Sequence, residues 1–173
     1  ASGRTGLLVL LAIHAALLAW AAWADSPTWD EPFHLAGGLR RLQTGQFDVD
    51  RGTPLSSTIG AVPVVLLKPG TDWGPVKDSP MGDSAPVGRR FLEINGGRSL
   101  WYITVARWAC IPFSLLGCTI CWLWGRELNG NLAGFVPGTL WCFCPNTIAH
   151  GHLVTGDMAA TALGVAAAYA FWR

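Results

Sequence analysis

The feature that most constrains this chain is a stretch without charge near its start, between Arg4 and Asp25. From Gly6 to Ala24 it consists almost entirely of leucine, alanine, valine, isoleucine and tryptophan. At about 1.5 Å of rise per residue, a helix of this length spans a hydrocarbon layer of roughly 30 Å. We therefore predict a membrane-spanning helix here.

The same stretch has a second interpretation. Arg4, the apolar core and the alanines around Trp23 resemble a cleavable signal peptide. The apolar part is long for a signal peptide, and Trp20 and Trp23 lie at its end, where aromatic rings favour the membrane interface. We favour a retained anchor, and both interpretations place the following loop outside the cytoplasm.

The composition also favours a lipid environment. Of the 173 residues, 51% are hydrophobic and only 13% are charged, whereas a soluble domain carries about 25% charged residues. The net charge of +1 gives no positive field for a nucleic-acid partner. The five cysteines lie in apolar runs, and we interpret Cys118 and Cys121, despite their CxxC spacing, as packing residues.

Three further apolar runs follow, and together the four predict a single all-α, polytopic transmembrane domain. The expected spans are residues 6–24, 99–124, 132–146 and 157–173, with a tight polar turn at 125–130. With the N-terminus in the cytoplasm, Arg4, Arg126 and Arg173 lie inside, as the positive-inside rule prefers. The fourth run is short for a crossing, so we expect the sequence to be truncated at its C-terminus.

Residues 25–98 form an outer loop that is too long for a plain connector. Asp30 is suited to cap a surface helix that carries Arg40 and Arg41 on its wet side and ends at Gly45. Residues 54–67 predict a second, more apolar surface or re-entrant segment. Residues 69–90, rich in proline and glycine, predict irregular structure.

Two acidic clusters fall on the outer face in this topology. Asp30 and Glu31, with His34 one helical turn later, follow the first span, and Asp157, with two histidines before it, precedes the fourth. Each carboxylate could be a helix cap or a solvated turn residue, and an Asp/His pair four residues apart could bind a divalent ion. Taken together, the clusters favour a general base near the membrane surface over a metal site.

A wider pattern connects these residues. The sequence Trp29-Asp-Glu-Pro-Phe-His-Leu-Ala-Gly-Gly38 follows the first span, a Pro-Leu step comes at residue 54, and Thr155-Gly-Asp157 precedes the last run. This series resembles the GT-C type membrane glycosyltransferases that use polyprenyl-phosphate sugars, such as protein O-mannosyltransferases and lipid A aminoarabinose transferases. The resemblance covers nearly all of the chain, as the N-terminal part of a catalytic membrane domain.

The resemblance implies roles for individual residues. Asp30 would be the general base or the carboxylate that orients the acceptor, Glu31 its companion, and Asp157 a second acid of the pocket. A carboxylate suits this chemistry because the acceptor hydroxyl loses a proton as it attacks the anomeric carbon. The leaving lipid phosphate needs cationic or amide donors. The residues expected to contact substrate are His34, Arg51, Arg98, Arg107 and His152.

The sequence departs from the family pattern at one motif. Thr53 stands where the family has its first motif proline, and Gly52 where a lysine is often found. The phosphate contact of that lysine would then fall to Arg51. Each arginine could instead be solvated or snorkel to the interface.

Three functions are compatible with these patterns. The favoured one is transfer of a sugar from a polyprenyl-phosphate donor to a protein or glycolipid acceptor. It would take place on the outer, periplasmic or lumenal face of a multi-pass protein of the cell (inner) membrane. The second is a non-catalytic membrane subunit or degenerate homologue that docks a partner through its outer loop. The third is a small metal-handling membrane protein, and a divalent metal is the one cofactor left open.

Overall fold

The computed structural model describes residues 2–76 and 84–173, and within these ranges all regular secondary structure is α-helical. The all-α prediction is therefore confirmed. The helices are α1 (Ser2–Ala24), α2 (Glu31–Thr44), α3 (Pro54–Leu66), α4 (Ser84–Asn95), α5 (Arg98–Asn129), α6 (Asn131–Phe143), α7 (Pro145–His150) and α8 (Asp157–Trp172).

Two helices in the described part of the chain are long and apolar enough to cross a membrane. They are Gly3–Ala24, within α1, and Arg98–Asn129, which is α5. Several large apolar side chains of α1 are exposed, among them Leu8, Val9 and Trp20, as lipid-facing residues would be. Length and composition identify these two helices, and a signal sequence or the core helix of a soluble protein shares both properties.

The second and third apolar runs differ from their predicted bounds. The tight turn predicted for residues 125–130 is wrong, because α5 continues through Asn129. Arginine, glutamate and leucine in this segment are good helix formers, and the chain turns only at Gly130, whose φ is 85°. The run predicted for 132–146 is divided at Cys144, whose extended backbone precedes Pro145.

The segment predicted as irregular, residues 69–90, is partly helical. Residues 69–76 lack regular structure, as predicted, and residues 77–83 lie outside the described part of the chain. The prediction is wrong from Ser84 onwards, where α4 begins. Val87 and Phe91, four residues apart, place buried side chains on one face of this helix.

The helices form two packed units. Unit 1 consists of Ala1–Ala21, Ile111–His152 and Asp157–Arg173, and unit 2 of Ala22–Cys110 and Leu153–Gly156. In unit 1, buried Leu10, Cys118 and Cys142 form a small apolar core. In unit 2, α2 packs against both α3 and α4, and this packing positions the polar residues that follow the first apolar helix.

Candidate functional site

A fully buried ion pair in unit 2 joins two of the predicted site residues. Glu31, the first residue of α2, is completely buried, and Arg107 of α5 is 1% exposed. Arg107 donates through Nε to Glu31 Oε1 at 2.8 Å and through Nη2 to Oε2 at 2.6 Å. This two-fold contact is the strong, planar form of an arginine–carboxylate pair.

The other donors of Arg107 hold the chain that leaves the first helix. Nη1 donates to the carbonyls of Ala22 and Asp25 at 3.1 and 2.8 Å, and Nη2 donates to that of Ser26 at 3.0 Å. A guanidinium has five N–H donors, so contacts within the protein use them all. Arg107 thus has no donor left for the substrate phosphate that the sequence assigned to it.

Glu31 is equally occupied. Besides Arg107, its carboxylate accepts the backbone N–H of Thr28 at 2.9 Å and that of Val154 at 3.2 Å. The side chain therefore ties α2 to the preceding loop, to α5 and to the segment Leu153–Gly156. Its partners and its burial give Glu31 a structural task, whereas the predicted role as a catalytic companion of Asp30 stays a prediction.

A second polar cluster lies at the start of α2 and contains the predicted base, Asp30. Asp30 occupies the N-cap position, as predicted, but its side chain makes no capping bond to the helix. Instead, its Oδ1 accepts the Thr28 hydroxyl at 2.8 Å, and its Oδ2 lies 3.5 Å from His34 Nε2. The Asp30 side chain is 50% exposed, so one face of the carboxylate is accessible.

Asp50, which is not among the residues predicted from the sequence, lies on the other side of the His34 ring. Its Oδ1 is 3.0 Å from His34 Nδ1, and both its carboxylate oxygens accept the Thr53 hydroxyl at 3.0 Å. Asp50 is 4% exposed. The imidazole therefore lies between a buried carboxylate and a half-exposed one. The local sequence signal for the bond between Thr53 and Asp50 is the Asp-x-x-Thr spacing, in which the hydroxyl reaches back to the carboxylate.

For both His34 and Asp50, burial shifts the pKa in one direction and the partner's charge shifts it in the other. Burial lowers the pKa of His34, but the hydrogen bond and charge of Asp50, with the charge of Asp30, outweigh it and raise the pKa above 6.5. Burial likewise raises the pKa of Asp50, but the hydrogen bond and charge of His34 outweigh it and lower the pKa below 3.8. His34 consequently keeps its proton to higher pH than a free histidine does.

The position of Asp50 depends on Gly37 and Arg41 of α2. A Cβ atom on Gly37 would collide with the Cβ of Asp50, so the bare helix surface lets the Asp50 loop approach. Arg41 donates to the Asp50 carbonyl at 2.9 Å, to the Pro54 carbonyl at 3.0 Å and to the Thr58 hydroxyl at 2.6 Å. These bonds fix Asp50, whose backbone φ of 52° is unusual for a residue other than glycine.

The solvent-facing orientation predicted for Arg40 and Arg41 is therefore wrong, since both are buried. Arg40 pairs with Asp48 at 2.6 Å, and its guanidinium lies over the ring of Trp73. The amphipathic pattern cannot distinguish an arginine in water from one that is covered by its own loop. The sequence signal that another segment packs closely on α2 is the Gly37-Gly38 pair inside a helical pattern.

An apolar groove of about 310 Å³ adjoins the Asp30 cluster in unit 2. Its lining residues are Pro27, Thr28, Trp29, Pro32, Phe33, Arg89, Leu92 and Leu100. Thr28, whose hydroxyl holds Asp30, belongs to this lining, and Trp29 packs edge-on against Phe33 with ring centroids 5.5 Å apart. Arg89 is the cation of the groove. It comes from α4, the helix that the sequence did not predict.

The remaining predicted residues are two arginines of unit 2 and two residues of unit 1. Arg51 and Arg98 are exposed in unit 2, and Arg51 Nε donates to a backbone carbonyl of its own loop at 3.1 Å. His152 and Asp157 belong to unit 1. His152 is buried, with its Nδ1 donating to the carbonyl four residues earlier at 3.1 Å, whereas Asp157 is exposed at the start of α8.

In residues 2–76 and 84–173, no group of three or more histidine, cysteine, aspartate or glutamate side chains is placed to hold a metal ion. Comparisons of the chain with protein-family models, with curated proteins and with solved structures gave no match. The Asp30 cluster and the groove beside it are therefore the features that indicate a function.

Proposed function

We propose that this protein is a membrane glycosyltransferase of the GT-C type, which transfers a sugar from a polyprenyl phosphate to an acceptor hydroxyl. One observation carries the proposal. The half-exposed Asp30 carboxylate, backed by His34 and the buried Asp50, adjoins a groove with apolar walls and one cation, Arg89. Apolar walls suit an isoprenoid chain, and a guanidinium suits its phosphate.

In the proposed reaction, Asp30 accepts the proton of the acceptor hydroxyl while that oxygen attacks the anomeric carbon of the donor. The bond between the anomeric carbon and the phosphate oxygen breaks, and the lipid phosphate leaves as an anion. Arg89 stabilises the charge on the leaving phosphate. His34, held by Asp50, orients the Asp30 carboxylate from its buried side.

The proposal includes four membrane crossings with residues 25–98 on the periplasmic or lumenal face. In this topology α1 and α5 form the first two crossings, α6 together with α7 forms the third, and α8 forms the fourth. A cysteine-free variant with one added cysteine tests the orientation. D72C, in the outer loop, should react with an impermeant maleimide in intact cells, whereas L128C, near the end of α5, should react only after permeabilisation. Reaction of L128C in intact cells would contradict this orientation.

Activity is tested with purified protein and a panel of short-chain polyprenyl-phosphate sugars, including mannose and aminoarabinose donors. We expect D30N to lower transfer by about 100-fold or more, since a general base contributes at least that much. Glu93, an exposed carboxylate of α4 in the same unit, gives the matched control, and E93Q should transfer normally. Equal activity of D30N and wild type would overturn the catalytic role of Asp30.

The same assay separates the alternatives. A wild-type protein that is inactive with every donor would favour the non-catalytic, partner-docking function. Metal content of the purified protein tests the metal-handling function. We favour the transferase because an apolar groove and an accessible carboxylate occur together in unit 2.

A further inference from the structure

A cavity of about 220 Å³ lies in unit 1 and differs in chemistry from the groove in unit 2. Its lining residues are Gly3, Arg4, Trp122, Arg126 and Asn131. They come from the start of α1, the end of α5 and the start of α6. Among these lining residues there are two arginines and no carboxylate, so the cavity has a positive field.

Trp122 lines the cavity and supports one of its arginines. Its side chain is 2% exposed, so the ring is fixed within unit 1. The guanidinium of Arg126 lies over the same indole, 4.8 Å from the ring centroid, and this cation–π contact holds it at the cavity.

The start of α6 adds a further attractive feature. Its N-cap residue is Gly130, which has no side chain to cap the first turn. The first N–H groups of a helix lack partners within the helix and carry partial positive charge. Asn131, the first residue of this helix, lines the cavity. The two guanidinium groups and the start of α6 favour the same kind of ligand, an anion with several acceptor oxygens.

We infer that this cavity binds a phosphate group, either in the headgroup of an anionic phospholipid or in a free phosphate compound. Phosphate offers oxygens in the geometry that guanidinium groups bind. Arg4 and Arg126 lie close to the ends of the two helices that are long enough to cross a membrane. Headgroup phosphates occur at that level of a bilayer.

The test uses the full chain in detergent, with binding measured by native mass spectrometry for phosphatidylglycerol and phosphatidylcholine and by calorimetry for inorganic phosphate. We expect R4Q and R126Q each to weaken binding by about tenfold, as the loss of a charge-assisted hydrogen bond does. Arg173 is an exposed arginine of the same unit outside the cavity lining. R173Q makes the same change of charge and should bind as wild type.

R4Q keeps the inference testable if R126Q does not fold, which circular dichroism will show. Selective binding of phosphatidylglycerol that inorganic phosphate does not displace would identify a headgroup. Binding of inorganic phosphate with the same variant dependence would identify a free phosphate compound. The inference would be overturned if neither phosphatidylglycerol nor inorganic phosphate binds, or if R173Q weakens binding as much as R4Q and R126Q do.

Discussion

Replacement of Arg107 by methionine leaves the Glu31 carboxylate buried without its partner. Both side chains are essentially inaccessible, at 1% and 0% exposure. Removal of one member of a buried ion pair costs about 3–5 kcal/mol. The carbonyls of Ala22, Asp25 and Ser26 also lose their donor, at about 1 kcal/mol each before water replaces it. We expect R107M to lower the free energy of unfolding by at least about 4 kcal/mol, a large share of the 5–15 kcal/mol that is typical of a folded protein.

The measurement is denaturant unfolding of the purified protein in detergent micelles, with a double-mutant cycle. E31Q should also destabilise, because it leaves the Arg107 charge buried. The combination of E31Q and R107M removes both charges and should recover at least about 2 kcal/mol of the summed loss. D48N is the matched control. It breaks the more accessible Arg40–Asp48 pair, whose side chains are 10% and 27% exposed, and should cost less than R107M does because water can reach Asp48.

Two results would refute this reasoning. One is a loss of less than about 1 kcal/mol for R107M, and the other is an additive double variant. A third result would redirect it. If E31Q unfolds like wild type but loses sugar transfer, Glu31 takes part in the chemistry, as the sequence predicts.

Further predictions concern the His34 cluster. In an NMR titration, the pKa of His34 should lie above 6.5, and D50N should lower it because burial then acts with less opposition. The raised pKa of His34 gives stability that is complete below pH 6.5 and lost as pH rises through the folded-state value. The lowered pKa of Asp50 gives stability that is complete above pH 3.8 and lost as pH falls through its folded-state value. Unfolding between pH 3 and 9 should therefore show a maximum between about 4 and 6.5 that D50N flattens, and an unchanged profile would contradict the contact. G37A should destabilise by about 1–3 kcal/mol because its Cβ meets Asp50, whereas G164A in α8, where the added Cβ meets open space, should stabilise by up to about 1 kcal/mol. A harmless G37A would contradict the close approach.

The local signals of the sequence account for much of the fold. The apolar runs predict helices, and α2 begins after Asp30 and ends at Gly45 as expected, because a cap position and a left-handed glycine are decided within a few residues. The length of α5 is less predictable. Glycine at position 125 indicates a turn, but the helix formers after it and its packing against α6 continue the helix.

The candidate site depends on contacts that no local pattern contains. Asp50 meets His34 across 16 residues of sequence, and Arg107 meets Glu31 across 76. An arginine in an apolar run is equally consistent with snorkelling and with a buried pair, because the choice depends on a partner elsewhere in the chain. The sequence therefore predicts Asp30, Glu31 and His34, and the spacing of Asp30 and His34 as a pair, but it cannot identify Asp50 and Arg107 as the further partners.

The adjacent acids Asp30 and Glu31 illustrate how the helix start separates two tasks. Successive side chains on a helix point about 100° apart, so neighbours at the first turn cannot face the same surroundings. Glu31 points into unit 2 and is bound from several segments, whereas Asp30 stays half-exposed and contacts His34. The buried acid fixes the direction of α2, and the direction of α2 fixes where the exposed acid lies. Loss of transfer in E31Q together with loss of stability would then be an effect on the position of Asp30, and restored folding in the double variant with R107M should restore part of the activity.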